Sequence, residues 1–66
     1  MKKINVAIIG LGYHQLQAIQ TLKKKFNIYG FDQDINAVGK QYVKKFFNLN
    51  IKDNLKIYKI YKKYKI

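Results

Sequence analysis

Ile4-Asn5-Val6-Ala7-Ile8-Ile9 runs directly into Gly10-Leu11-Gly12-Tyr13-His14-Gln15. The first six residues are apolar on both faces apart from Asn5, the pattern of a strand buried in a parallel sheet. Gly10 and Gly12 end that strand. From His14 to Lys25 the apolar residues Leu16, Ala18, Ile19 and Leu22 recur at helical spacing, with Gln15, Gln17, Gln20, Lys23 and Lys24 between them. Lys23, Lys24 and Lys25 then fall in the last helical turn, where cations complement the dipole. Ile28 to Phe31 reads as a second strand and closes on Asp32. Strand, glycine turn, helix, strand, acid is the opening order of an α/β fold of the nucleotide-binding type.

The rest of the chain extends that order. Asp32-Gln33-Asp34-Ile35-Asn36 holds three residues suited to a helix cap or an Asx turn. Ala37 to Val43 reads as a short helix loosened by Gly39, and Phe46-Phe47-Asn48-Leu49 as a third strand. Asp53 or Asn54 opens a final helix whose Ile57, Ile60, Tyr61 and Tyr64 share one face. Lysines surround that face, with like-charge pairs such as Lys56 with Lys59 and Lys59 with Lys63, so the helix depends on docking and is expected to fray near Ile66. Two right-handed crossovers set the strand order. The expected fold is therefore a truncated Rossmann-like, three-layer α/β domain spanning residues 1–66, with three parallel strands in the order 3-2-1 and three helices. No fourth strand is expected beside strand one, and an open edge of this kind invites pairing with another chain.

Composition narrows the function classes. The chain has 66 residues and no cysteine, so neither disulfides nor thiolate metal sites reinforce a small core. The net charge of +11 comes from 14 lysines against Asp32, Asp34 and Asp53. Charge of this sign suggests a nucleic-acid or membrane surface. The complete absence of Arg argues against that reading, because Arg is the residue suited to bidentate phosphate and guanine contacts. Lys, Ile, Asn, Tyr and Phe share AT-rich codons, and a base bias explains the charge more simply. Tyr58, Tyr61 and Tyr64 interleave with lysine as in single-strand binders, but their helical spacing suits a docking face better. No stretch approaches the ~20 apolar residues of a membrane span, and the short apolar run after Met1-Lys2-Lys3 lacks a signal-peptide cleavage site. A cytoplasmic protein is expected.

Gly10-x-Gly12-x-x-Gln15 is one residue short of the dinucleotide fingerprint, with Gln15 where a third glycine lets helix and strand pack closely. Asp32 stands about 20 residues on, where an acid takes a ribose hydroxyl. NAD binding is one reading; a sharp turn with an acid capping the next turn is the other. In either case a helix N-terminus suits an anion, phosphate or carboxylate, and Gly10, Gly12, Tyr13, His14 and Gln15 form the candidate anion or substrate site. Asp32, Asp34 and Asn36 are the candidates for ribose binding or turn capping. The Asp32-x-Asp34-x-Asn36 spacing imitates a calcium loop, but Ala37 replaces the required glycine and Val43 the terminal Glu, so no metal is expected. His14 has no acidic or nucleophilic neighbour in sequence, and no catalytic residue is assigned.

Gly10-x-Gly12-x-x-Gln15-Leu16-x-Ala18-Ile19, followed by Asp32-x-Asp34-x-Asn36-Ala37-x-Gly39, Phe46-Phe47 and Asp53 ahead of a helix, resembles the N-terminal domain that precedes the ATP-grasp domain in carboxylate–amine ligases. It is most similar to carbamoyl-phosphate synthase large-subunit-like proteins. The resemblance covers nearly the whole chain. Ile35 and Val38 stand where the family usually has proline, and Lys44-Lys45 where it has Ala-Asp. The resemblance implies a substrate-side or scaffolding unit, split or truncated and inactive alone. It implies no cofactor in this chain, with ATP and magnesium held by a missing or separately encoded ATP-grasp domain. The resemblance implies a separately encoded ATP-grasp chain as partner, and the open edge of strand one is the expected surface for that chain or for a second copy of this one. A minimal NAD(P)-binding module and a basic nucleic-acid-binding protein are the alternatives.

Overall fold

The computed structural model describes residues 2–66. Three strands form one parallel sheet: β1 (Ile4–Ile9), β2 (Phe26–Asp32) and β3 (Lys45–Asn48). β2 lies between the other two, with Ile4 opposite Phe26 through Ile9 opposite Phe31, and Tyr29 opposite Lys45 through Asp32 opposite Asn48. The expected order is thus observed. β1 reads as the most apolar strand, yet burial is greatest in β2, where Ile28, Tyr29, Gly30 and Phe31 are all buried. The central position, not residue hydrophobicity, decides this. β2 also starts two residues earlier than its apolar run, because the Asn27 amide donates to Asn5 Oδ1 at 2.9 Å and holds the start of the ladder together.

Successive side chains of a strand face opposite sides, and each side of this sheet has its own cover. On one side Leu11, Ile19 and Ala37 form a buried cluster with Ile8, Tyr42, Val43 and Phe46. Its cover is α1 (Leu16–Leu22) and the segment 38–42. On the other side Tyr29, Phe31 and Ile57 are buried with Ala7, Phe47, Ile60, Tyr61 and Tyr64 against them. That side is covered by α2 (Asn54–Tyr64) through the face expected from its spacing. The result is three layers.

Helix content departs from expectation in two places. Two α-helices form, not three: residues Val38–Tyr42 are a 3-10 segment. Gly39 is the cause, though not by loosening a helix. Its N–H donates to the Leu11 carbonyl at 2.8 Å, outside any helical ladder, while Lys40 N closes a tight turn onto the Ala37 carbonyl. The first helix is also shorter than 14–25. A 3-10 turn at Tyr13–Gln15 precedes it and it stops at Leu22, because Lys25 N bonds back to the Leu22 carbonyl and Phe26 already pairs with β1. Lys23 to Lys25 therefore lie just past the helix end, where Lys3 Nζ also reaches the Lys23 carbonyl.

α2 begins after Asp53, whose carboxylate makes no capping bond and instead lies 3.5 Å from Lys56 Nζ. An exposed pair of this kind contributes little. The helix does not trail off at its end: Lys65 takes a left-handed conformation, Ile66 N bonds to the Tyr61 carbonyl, and Ile66 packs on the aromatic cluster. Among the described residues no helix is long and apolar enough to cross a membrane.

Candidate functional site

Parallel strands bring their carboxyl ends to one edge of the sheet, the usual ligand side of α/β proteins. Here that edge gathers the Gly10 turn, Asp32 and Asn48. Gly10 has φ +88°, a conformation L side chains rarely adopt, and its N–H continues the ladder to the Phe31 carbonyl at 2.8 Å. The chain thereby turns sharply off β1 and drives Leu11 into the core, where it is fully buried. Gly12 is in ordinary extended backbone.

Leu11 is where the two motifs of the sequence meet. Its N–H donates to Asp32 Oδ2 at 2.7 Å, and its carbonyl accepts from Gly39 N at 2.8 Å. Both backbone groups of the buried residue are therefore satisfied by the Asp32–Gly39 segment. The segment is itself folded by Asx turns: Asp34 N donates to Asp32 Oδ1 and Asn36 N to Asp34 Oδ1, each at 2.9 Å. Asn48 Nδ2 ties β3 to the same corner through the Asp32 and Gln33 carbonyls. A Cβ on Gly39 would stand 2.9 Å from Ile19 Cδ1 and 3.0 Å from the Leu11 oxygen. Glycine is required there by close approach.

The expected site residues thus divide. Gly10 and Asp32 line one cleft of about 150 Å³, together with Ile9, Phe31, Gln33, Leu49 and Ile51. Tyr13 (79% exposed) and His14 are on the surface, Gln15 is half-buried, and none of the three lines that cleft. His14 lines a separate shallow depression along α1 with Gln17, Ala18, Thr21 and Leu22. Asp34 and Asn36 are exposed; the Asp34 carboxylate caps a turn by accepting from Asn36 N, and the Asn36 side chain caps none among the described residues. Among the described residues no three His, Cys, Asp or Glu side chains cluster as metal ligands.

The electrostatics of the cleft follow from Asp32. Two amides of the glycine turn, those of Gly10 and Leu11, are already engaged, the second by the Asp32 carboxylate itself. A negative group therefore sits against the turn, and the cleft suits a donor such as an amine or hydroxyl better than an anion. Sequence reasoning overlooked Leu11 and Asn48, which organise this corner. The signal for Leu11 was a lone apolar residue between two glycines, and for Asn48 a polar residue inside an apolar run. No protein-family model matches the chain, nor does any curated protein or solved structure.

Proposed function

We propose that this chain is the substrate-side scaffolding unit of a cytoplasmic, ATP-dependent carboxylate–amine ligase of the ATP-grasp type, with a Rossmann-like fold. ATP and magnesium belong to a module outside residues 1–66, and this chain performs no chemistry by itself. One observation carries the reading. The glycine turn and the Asp32–Gly39 segment, the two motifs that resemble the family, are joined through both backbone groups of Leu11. This gives both motifs one physical purpose, the shaping of a fixed corner at the carboxyl ends of the strands.

Within that reading the cleft positions the amine. Gly10 places the turn, Asp32 offers a carboxylate acceptor, and Ile9, Phe31, Leu49 and Ile51 supply apolar walls. Binding here orients a nucleophile toward an acyl phosphate made elsewhere, which is catalysis by positioning. The NAD(P) reading has less support, since Gln15 occupies the third-glycine position and the Asp32 carboxylate, bonded to Leu11 N, sets negative charge against the turn that a pyrophosphate would have to approach.

Amide NMR titration with small primary amines and with carboxylates tests the site. Amines at millimolar concentration are expected to shift Gly10, Gln33 and Leu49, and carboxylates to leave them unmoved. Combination with the ATP-grasp module of the same genome is expected to release ADP only when amine and carboxylate are both supplied. No amine response and no ADP release together would remove the proposal. NADH saturating the same amides would replace it with the dinucleotide reading.

A further inference from the structure

β1 is an outer strand of the sheet, and among the described residues nothing pairs with its outer side. The ladder shows which groups point outward. Gly10 N bonds inward to the Phe31 carbonyl, and alternate residues of a parallel strand share one direction. Ile4, Val6 and Ile8 thus spend their backbone groups on β2, while Asn5, Ala7 and Ile9 aim theirs away from it. The strand contains no proline and no charge. Its ends expose Ile4 (67%) and Ile9 (40%). Such an edge lacks the devices that usually keep strands from pairing.

We propose that this edge pairs with a second copy of the chain, antiparallel, about a two-fold axis at Ala7. The register follows from the outward groups: Ala7 faces its own image, and Asn5 of one protomer faces Ile9 of the other. Each of these pairs exchanges two bonds, about six in all, and makes one continuous six-stranded sheet. Charge selects the direction. Lys2 and Lys3 precede β1, and Lys3 Nζ reaches the Lys23 carbonyl at the end of α1, so the amino end of the edge is basic. The opposite end carries Asp32, bonded to Leu11 N, with Asp34 beside it. Antiparallel pairing brings the basic end of each copy to the acidic end of the other, whereas a parallel approach stacks Lys2 and Lys3 on their own images. The small Ala7 side chain at the axis keeps the centre uncrowded. This inference stands apart from the ligase reading.

The net charge of +11 on each protomer opposes association. Salt screens that long-range repulsion far more than it weakens backbone hydrogen bonds. Dimerisation is therefore expected to tighten about tenfold between roughly 0.02 M and 0.5 M salt. Sedimentation equilibrium at about 1 mM protein and high salt is expected to give twice the 7.9 kDa monomer mass. The chain is short enough for chemical synthesis with an N-methyl group on Ala7, which blocks the central outward N–H and leaves every side chain unchanged. That chain is expected to keep its circular dichroism and its β2 amide protection while remaining monomeric. A spin label on Lys2→Cys is expected to broaden Gly10 to Gly12 of an unlabelled copy. The native chain staying monomeric at high salt, which includes the case of an edge reserved for a different protein, overturns the proposal. So does a folded N-methyl chain that still dimerises, or label broadening centred on Ile4.

Discussion

The two faces of the sheet are held by different means. On the α1 side an aliphatic-rich cluster is pinned by backbone hydrogen bonds. Leu11 is enclosed by Asp32 and Gly39 through hydrogen bonds of 2.7 and 2.8 Å, at a point where a single added methyl has no room. On the α2 side the packing is aromatic area. Phe31 stacks on Phe47 with centroids 5.0 Å apart, Tyr61 meets Phe31 edge-on at 5.8 Å, and Tyr64 touches both Tyr29 and Phe47. The polar tie there is the Asn5 amide donating to the Tyr64 carbonyl at 2.6 Å. The first face fixes geometry through directional bonds, and it adjoins the cleft. The second supplies non-directional burial and can tolerate repacking.

Phe31→Ala breaks the aromatic face most severely. It removes a side chain 1% exposed from the middle of β2 and leaves Phe47 and Tyr61 facing a void. Phe→Ala in a core costs about 3–5 kcal/mol. A domain this small holds only roughly 3–10 kcal/mol in total. Urea unfolding followed by circular dichroism is expected to show a chain largely unfolded at room temperature. Phe31→Leu, which keeps most of the volume, is expected to recover a cooperative transition.

Gly39→Ala probes the other face with one methyl. The new carbon would meet Ile19 Cδ1 at 2.9 Å, which can rotate, and the Leu11 oxygen at 3.0 Å, which is backbone and already bonded to Gly39 N. A cost of about 2–3 kcal/mol is expected from overpacking. The distinguishing measurement is local. Amide exchange is expected to accelerate at Leu11 and Gly39 first, because the substitution pries the two motifs apart before the sheet opens. A uniform acceleration across the chain would mean that the two faces do not differ as described.

How far the fold was legible depends on where each element's determinants lie in sequence. β1, β2, β3 and the buried face of α2 could be read, because short apolar runs and the spacing of Ile57, Ile60, Tyr61 and Tyr64 are local signals. The 3-10 segment at 38–42 could not, since its shape is set by a bond between Gly39 and Leu11, residues far apart in the chain. Asp32 was read as a ribose-binding or turn-capping residue; it caps the turn at Asp34, while its second partner, the Leu11 amide, becomes visible only when β1 and β2 are side by side. The same holds for Asn5, whose interruption of an apolar run was plain while its partners, Asn27 and the end of α2, were not.

Asp32→Asn sharpens the contrast at lower cost. The amide side chain keeps one acceptor oxygen but cannot receive both Leu11 N and Asp34 N as the carboxylate does. Losing one charge-assisted bond costs about 1–2 kcal/mol. The fold is expected to survive, seen in unchanged shifts for Ile57 and Tyr61 on the far face. Amine binding at the cleft is expected to weaken together with the loss of the carboxylate. Retained amine binding would assign the cleft's affinity to its apolar walls.

The smallest expected effect concerns Tyr64, at the rim of the aromatic face. Its phenol titrates below the usual value of 10.0, mainly through hydrogen bonding with the Lys45 ammonium, with the charges of Lys45 and Lys63 adding to it and desolvation opposing it. Lys45 Nζ stands 5.0 Å from the ring centroid. Because the folded chain holds this proton less tightly than the unfolded chain, stability rises with pH between the folded value and 10.0, and the gain is lost as pH falls through the folded value. Deprotonation of lysine near ~10.4 closes the window from above. Tyrosinate absorbance is expected to show one early-titrating tyrosine in the native chain, absent after Lys45→Gln and after Tyr64→Phe. Because this contact lies at the solvent-facing edge of α2, neither substitution should disturb Leu11 or Gly39. If either shifts those amides, the aromatic rim is coupled to the backbone corner through β2, and the two faces behave as one unit.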